Sequence, residues 1–325
     1  MAFLAMDDPD HLRLRTLVSK GFTPRRIREL EPRVTEIATR HLDAMLEKVR
    51  SSDTAGTVDF VDEFAGKLPM DVISELMGVP EADRVQVRAW ADGVMHREEG
   101  VTDVPAAAVE ASLNLIVYYQ SMVAERRKQL TDDLTSALLE AEIDGDRLTD
   151  DEILGFMFLM VIAGNETTTR LLGFAGQLLS DHPDQRRALA ADFSLIPNAV
   201  EEVLRYEAPS PVQARYVARD VELYGQTVRE GSVMLLINGS ANRDERQYPA
   251  ADRFDIRRKA AHLSFGHGIH FCLGTAVARL EGRVALEELV ARLGEWEVDE
   301  SSIVRNQLIP GRGVASTNIR FKASA

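Results

Sequence analysis

The sequence predicts a mostly α-helical fold with a small β part. Over the first two thirds of the chain, apolar residues recur at the spacing of amphipathic helices, and the longest such stretch is 149–182. Between 212 and 237 the pattern changes to β-type residues punctuated by Gly225 and Gly231, which predicts short strands and hairpins. Because no repeat or long linker divides the chain, we expect residues 1–325 to form a single domain.

Proline and glycine mark the ends of the predicted helices. Pro32, Pro80 and Pro105 stand where helices begin, and Gly21 stands where the first one ends. In chain order, the predicted helices are 11–20, 32–49, 69–77, 80–98, 105–130, 149–182, 197–207 and 272–293.

The longest helix has well-marked ends, and the chain after it mixes irregular segments with strands. Thr149 and Glu152 form a capping box at its start, and Pro183 closes its far end. Residues 245–271 are predicted to be mostly irregular, and 296–322 to contain short strands.

Composition excludes several classes of function. Lys and Arg number 38 and Asp and Glu 52, and the net charge of −14 argues against a nucleic acid or an anionic membrane as partner. The single cysteine excludes an intrachain disulfide and fits a reducing compartment, so we expect a cytoplasmic protein. The longest apolar stretch, Ile153 to Gly164, is shorter than the about 20 residues of a membrane-spanning helix, so we expect no membrane span.

The only cysteine lies in a glycine-rich segment, Phe265-Gly-His-Gly-Ile-His-Phe-Cys-Leu-Gly274. Glycines let the backbone approach a bulky partner, and Cys272 is predicted to begin a helix, whose N–H groups stabilise a thiolate. A thiolate with one nearby histidine, His270, acts either as a nucleophile or as the axial ligand of haem iron. A buried structural thiol is a third interpretation. The spacing alone does not choose among them.

Polar residues follow the apolar run of the longest helix, in Ala163-Gly-Asn-Glu-Thr-Thr168. An exposed polar turn whose hydroxyls bond back to the preceding turn would explain them. Alternatively, the helix crosses the face of a cofactor. Gly164 then leaves room for a diatomic ligand, and Glu166 and Thr167 relay protons.

The cysteine segment matches the pattern Phe-Gly-x-Gly-x-His-x-Cys-x-Gly and resembles the haem-ligand loop of the cytochrome P-450 family, especially its soluble bacterial type. The resemblance implies that Cys272 is the axial ligand of the iron in haem b (iron protoporphyrin IX). It also implies that Phe265 shields the sulfur and that His270 reaches a haem propionate, with Gly274 in the same cofactor-binding loop.

The polar helix turn is similar to the oxygen-binding turn of that family. By this resemblance Ala163 and Gly164 lie against the cofactor, and Glu166 and Thr167 are the catalytic residues that deliver protons to bound dioxygen.

Further family motifs occur in the expected order. His11 and Arg15 match a His-x-x-x-Arg pair that contacts the haem propionates, and Arg215 matches another propionate arginine. Glu202-Val-Leu-Arg205 matches a buried Glu-x-x-Arg pair that bonds an arginine from a later loop, for which Arg253 is the candidate.

The resemblance implies a haem-thiolate monooxygenase, which inserts one oxygen atom of dioxygen into an apolar small molecule and releases the other as water. A lipid, steroid or terpenoid-like substrate is expected, in a pocket lined by Ile162, Ala163, residues near Val212 and the 309–315 turn. Electrons are expected from a ferredoxin with its reductase, because 11–28 contains basic residues and no acidic ones: Arg13, Arg15, Lys20, Arg25, Arg26 and Arg28.

The P-450 fold is expected here in N-terminally truncated form, since family members begin about 80 residues upstream. By the resemblance, that part completes the sheet and covers one haem edge, so the chain alone is expected to hold haem weakly. A haem-binding fragment without turnover is therefore the alternative to the monooxygenase. A cysteine hydrolase with His270 as base explains neither Gly164 to Thr167 nor Arg215.

Overall fold

The computed structural model describes residues 3–51, 56–95, 103–259, 261–305 and 313–321, which form helices and small antiparallel sheets, as predicted. Its α-helices are α1 (Asp10–Ser19), α2 (Pro24–Ser51), α3 (Lys67–Met77), α4 (Arg84–Met95), α5 (Ala106–Lys128), α6 (Leu134–Glu140), α7 (Asp150–Asp181), α8 (Pro183–Ala191), α9 (Ile196–Tyr206), α10 (Asn238–Ala241) and α11 (Thr275–Arg292). Its strands are β1 (Thr57–Asp59), β2 (Glu142–Ile143), β3 (Asp146–Arg147), β4 (Gln213–Tyr216), β5 (Val221–Leu223), β6 (Gln226–Val228), β7 (Val233–Leu236), β8 (Trp296–Val298), β9 (Val304–Arg305), β10 (Val314–Ser316) and β11 (Asn318–Phe321).

The long helix α7 is the centre of the fold. It begins with the predicted capping box, in which Thr149 Oγ1 accepts a hydrogen bond from the Glu152 N–H (3.3 Å) and the Glu152 carboxylate accepts one from the Thr149 N–H (2.8 Å). Helices α3, α5, α9 and α11 pack against it. Although α7 is rich in apolar residues, neither it nor any other helix in the described ranges is long and apolar enough to cross a membrane.

The strands pair into small antiparallel sheets outside the helices. Strands β1, β11 and β8 form a three-stranded antiparallel sheet in that order, with Val58 opposite Ile319. Strand β4 pairs with β7 and places Arg215 opposite Met234. The strands predicted between 212 and 237 are thus confirmed, and this pair carries one of the predicted site residues.

One predicted boundary is wrong at the start of α2. The helix begins at Pro24, and Pro32, its predicted first residue, lies inside it. Buried Ile27 and Leu30 extend the apolar face upstream of Pro32, so helix packing outweighs the backbone hydrogen bond that a proline cannot make.

Helices α6 and α8 are absent from the predicted elements. The start of α6 has a recognisable signal, since the Asp133 carboxylate caps it by accepting a hydrogen bond from the Ser136 N–H (2.7 Å). Helix α8 begins with Pro183, which marks both the end of α7 and the first residue of the next helix.

Candidate functional site

The glycine-rich cysteine segment folds back on itself before α11. Gly266 and Gly268 both have φ of 74°, a left-handed conformation that favours glycine. The turn lets the Cys272 N–H donate a hydrogen bond to the Phe265 carbonyl (2.9 Å), so these two residues lie side by side. The Cys272 thiol is exposed, and the loop therefore presents a sulfur atom on a residue that is bonded to the Phe265 backbone.

Cys272 does not begin a helix, in contrast to the prediction. Helix α11 begins at Thr275, with Gly274 as its N-cap residue, and the Thr275 hydroxyl donates to the Cys272 carbonyl (2.8 Å). The thiol therefore lies just before the helix, and Gly274 forms the junction between loop and helix.

Four predicted cofactor-binding side chains from three separate segments come together next to this loop. The rings of His11 on α1 and His270 in the loop lie 4.2 Å apart. Arg15, one turn after His11, donates to the Phe271 carbonyl (2.7 Å). Burial lowers the pKa of His270, and the nearby side chains of His11, Arg215 and Arg15 lower it further. His11, Arg15 and His270 thus lie next to the loop, with Arg215 near enough to influence the pKa of His270.

This donor cluster fits a ligand that carries carboxylates. His11 is buried, with 1% of its surface exposed, yet neither of its ring nitrogens has a hydrogen-bond partner, and the nearest carboxylate oxygen, Asp8 Oδ1, lies 3.6 Å from Nδ1. Buried polar groups are normally paired. Two arginines and two histidines beside an exposed thiol match the needs of haem, which has an iron for a thiolate and two propionates for cationic donors.

The position of His270 also bears on the nucleophile interpretation. A base for Cys272 would have to approach the thiol, whereas the His270 ring packs against His11. The described part of the chain shows no hydrogen bond between a histidine and the Cys272 sulfur. The described contacts of His270 therefore give no support to a Cys272–His270 nucleophile pair.

The predicted oxygen-binding turn lies in the middle of α7. Ala163 is exposed there, although most of α7 is covered by other helices. The Thr167 hydroxyl donates to the Ala163 carbonyl (2.8 Å), and the Thr169 hydroxyl makes the same type of bond to the Asn165 carbonyl (3.1 Å). The polar turn is thus built as the sequence suggested, with hydroxyls bonded to the preceding turn.

Gly164 has a packing role that the sequence did not reveal. A Cβ atom at this position would lie 3.1 Å from Ile73 Cδ1 of α3, which is tighter than ordinary van der Waals contact. The glycine therefore lets α3 approach α7 closely beside the exposed Ala163.

Arg170 is a site residue that the sequence analysis missed. It is buried, pairs with the Glu166 carboxylate one turn earlier, and donates to the Pro209 carbonyl (3.0 Å). The sequence could have indicated this pair, because a Glu and an Arg four residues apart lie on the same face of a helix. Glu166 is therefore held by a buried cation within α7.

The Glu202–Arg205 pair is buried, as predicted, but its predicted partner is wrong. The later arginine that bonds Glu202 is Arg258, through Nε (3.2 Å). Arg253 is exposed and contributes only its carbonyl, which accepts from Arg205 and from Arg258 (3.1 Å each). The backbone of the loop turns the Arg253 side chain outward.

Acidic side chains from other elements offset part of the positive charge of segment 11–28 in the folded protein. Arg13 donates to Asp146 and Glu152 (each 2.6 Å), which approach from other elements. Lys20 and Arg28 are exposed, and the described residues include no ion pair for either. Among the exposed basic side chains of this segment, these two thus keep a positive charge that no described acidic residue offsets.

Comparisons with known proteins identify the family of the chain. A family model described as "Cytochrome P450" matches residues 107–323. The chain is 54% identical over 325 residues to the putative cytochrome P450 123 of Mycobacterium tuberculosis (strain ATCC 25618 / H37Rv), covering 99% of this chain and 79% of that protein. It is 45% identical over 315 residues to the vitamin D(3) 25-hydroxylase of Pseudonocardia autotrophica, covering 93% and 75%.

A solved structure has the same fold. The crystal structure of CYP109E1 from Bacillus megaterium in complex with testosterone superposes with a TM-score of 0.90 at 33% identity, covering 98% of this chain and 86% of that one. The chain belongs to the cytochrome P450 family, and is a monooxygenase whose cofactor is haem.

Proposed function

We propose that the chain hydroxylates a compact apolar molecule of steroid-like size, with electrons from an acidic ferredoxin and its reductase. The observation that carries the cofactor assignment is the cluster of His11, Arg15, Arg215 and His270 beside the exposed thiol of Cys272. The size and polarity of the substrate rest on the lining residues and on what two relatives bind or act on.

In this proposal residues of the loop, of α1 and of β4 hold the cofactor. The Cys272 sulfur ligates the iron, the Phe265 ring covers the sulfur, and the His11, Arg15, Arg215 and His270 side chains bind the propionates. Gly274 keeps the junction with α11 free of a side chain. When bound, haem supplies the activation of dioxygen and the oxygen atom that is transferred.

Glu166 and Thr167 are proposed to move protons. The Thr167 hydroxyl now donates to the Ala163 carbonyl, and rotation about χ1 frees its proton for another acceptor. Glu166 exchanges protons with water when its carboxylate leaves Arg170, to which it is paired. Ala163 and Gly164 keep this face of α7 narrow, so that a ligand can approach these two groups.

The substrate is proposed to be apolar and compact. Ile162, Ala163 and Val212 are at least partly exposed, as are the neighbouring apolar Leu235 and Ile237 at the end of β7. Apolar surface of this kind suits a ligand without charge. One relative is named a vitamin D(3) 25-hydroxylase and a structural neighbour holds testosterone. Of the expected 309–315 turn, residues 309–312 lie outside the described residues.

An isotope experiment tests the proposed reaction. The haem-loaded protein, with ferredoxin, reductase and NAD(P)H, is incubated with testosterone or vitamin D(3) under heavy-isotope dioxygen. We expect a product with one labelled oxygen atom, and an unlabelled product in labelled water under ordinary dioxygen. Stable haem binding with no oxygenated product from any steroid or terpenoid tested would contradict the proposed substrate class.

The proposed ferredoxin is tested through charge. Lys20→Glu and Arg28→Glu should each slow reduction by an acidic ferredoxin at low salt and reduce its dependence on ionic strength. Arg219→Glu, which makes the same change in the exposed loop between β4 and β5, is the control. Equal rates for all three variants would contradict docking at segment 11–28.

A further inference from the structure

A bidentate ion pair lies against the ring of Phe265. Arg279 on α11 donates from Nε and from a terminal nitrogen to the two carboxylate oxygens of Glu201 on α9, and both hydrogen bonds are 2.7 Å long. The guanidinium carbon of Arg279 lies 5.0 Å from the centre of the Phe265 ring. This is a cation–π distance, so the arginine contacts the aromatic residue that neighbours Cys272.

His262, three residues before Phe265 in the same loop, also contacts both Glu201 and the Phe265 ring. Its Nδ1 accepts a hydrogen bond from the Ser264 N–H (3.2 Å), which leaves Nε2 as the protonated nitrogen that faces Glu201 (3.2 Å). The His262 ring lies 5.6 Å from the Phe265 ring. The α9 carboxylate is therefore fixed by two donors, and both donors touch Phe265.

The charges of this cluster reach the cysteine. The pKa of Arg279 is raised, first by its hydrogen bonds to Glu201 and also by the charge of Cys272. Burial acts to raise the pKa of Glu201, but His262 and Arg279 outweigh it and lower the value to about 2. Both members of the pair are therefore ionised near neutral pH, with the positive one close to the sulfur.

We propose that Arg279 is a positioning residue that holds the Phe265 ring and places a positive charge beside Cys272, with Glu201 orienting Arg279 and offsetting part of its charge. The pair thereby sets the reduction potential of the haem iron. This inference rests on the proposed role of Cys272 as iron ligand. A positive charge nearby favours the reduced iron, because reduction adds one electron to the site.

The test is a spectroelectrochemical titration of the haem-loaded variants. Arg279→Met removes the positive charge and should lower the reduction equilibrium constant about 1.5- to fivefold, the range for a partly exposed charge. Glu201→Gln removes the negative charge and should raise it. Arg283→Met is the control, because Arg283 lies one turn later on α11 and pairs with Glu31 and Glu287. It should leave the potential unchanged.

A double-mutant cycle tests the contact with the ring. In a Phe265→Leu background, the shift caused by Arg279→Met should differ from its shift in the wild-type background, since Arg279 acts partly through the ring. Three outcomes would overturn the proposal. The potential could shift equally in the two backgrounds, or it could stay unchanged in both single variants. It could also shift in the same direction in Arg279→Met and Glu201→Gln. All variants are compared only if their reduced carbon monoxide spectra keep thiolate character. Loss of that character in the wild type would instead refute the role of Cys272.

Discussion

Cys272 is the only sulfur atom in the chain that can act as a thiolate ligand. Cys272→Ser should abolish the red-shifted Soret band of the reduced carbon monoxide complex and stop turnover, because a hydroxyl is a poor soft donor. The fold should persist, since the thiol is exposed. Absorption spectra test the ligand and circular dichroism tests the fold. A variant that keeps the red-shifted band would show that another group binds the iron.

Thr167 and Thr169 provide a matched pair for testing proton delivery. Each hydroxyl donates to the carbonyl four residues earlier on α7. Thr167→Ala should leave haem content unchanged but divert electrons from product to peroxide several-fold, because proton transfer of this kind contributes about 10²-fold or more. Thr169→Ala should remain coupled. Peroxide yield per NAD(P)H consumed is the measurement, and equal coupling in both variants would argue against the role of Thr167.

Glu281 makes the stability of the fold depend on pH. It is buried in α11, none of the described ion pairs includes it, and burial raises its pKa from 4.5 to about 8. Between these two values the folded protein holds a proton that the unfolded chain has released, so the free energy of unfolding falls as pH rises. The slope is at most about 1.4 kcal/mol per pH unit for one group.

Glu281→Gln should remove this dependence. Urea unfolding at about pH 6 and about pH 8 should show a smaller loss of stability in the variant than in the wild type. The exposed Glu297→Gln is the control. Parallel losses in all three proteins would mean that Glu281 is ionised in the folded state.

At the scale of elements, the capping box of α7 also connects that helix to α1. Glu152 accepts from the Thr149 N–H and from Arg13 of α1 (2.6 Å). Thr149→Ala should lower the free energy of unfolding by about 1 kcal/mol. Thr16→Ala removes a hydroxyl that bonds only within α1 and should cost less. Equal costs in urea unfolding would show that the cap contributes nothing specific.

Elements with strong local signals were predictable from the sequence. The start of α7 needed only Thr149, Glu152 and an apolar run, and all three appear in the structure. The start of α2 was mispredicted because Pro32 is a local helix breaker, whereas the burial of Ile27 and Leu30 is a tertiary effect. The helix after the thiol was placed too early because spacing does not reveal that Gly274 is the N-cap residue.

Across the molecule, the sequence pointed to candidate site residues more readily than to the side chains that pair with them. The motifs pointed to His11, Arg15, Arg215 and His270 as one set, and the structure brings them together. Ion-pair partners that lie far apart in the sequence could not be predicted from motifs. The pairing of Glu201 with Arg279 and His262 depends on how α9, α11 and the loop pack, and no local pattern records that.

The Arg258–Glu202 pair likewise joins residues far apart in sequence, so the local pattern did not reveal it. Arg258 bonds Glu202 and also donates to the Pro249 and Ala250 carbonyls (2.7 and 2.8 Å), so it joins the loop to α9. Arg258→Met leaves a buried carboxylate with one cation fewer and frees these carbonyls. The variant should therefore lose about 2–4 kcal/mol of unfolding free energy.

Arg253→Ala is the matched control for this loop. Its side chain is exposed and its carbonyl, which accepts from Arg205, remains in the variant. The cost should therefore stay within about 0.5 kcal/mol, as for most surface substitutions. Urea unfolding of the two variants decides between the arginines. If Arg253→Ala costs as much as Arg258→Met, the exposed side chain of Arg253 secures the loop as much as that of Arg258 does, and the assignment to Arg258 alone is wrong.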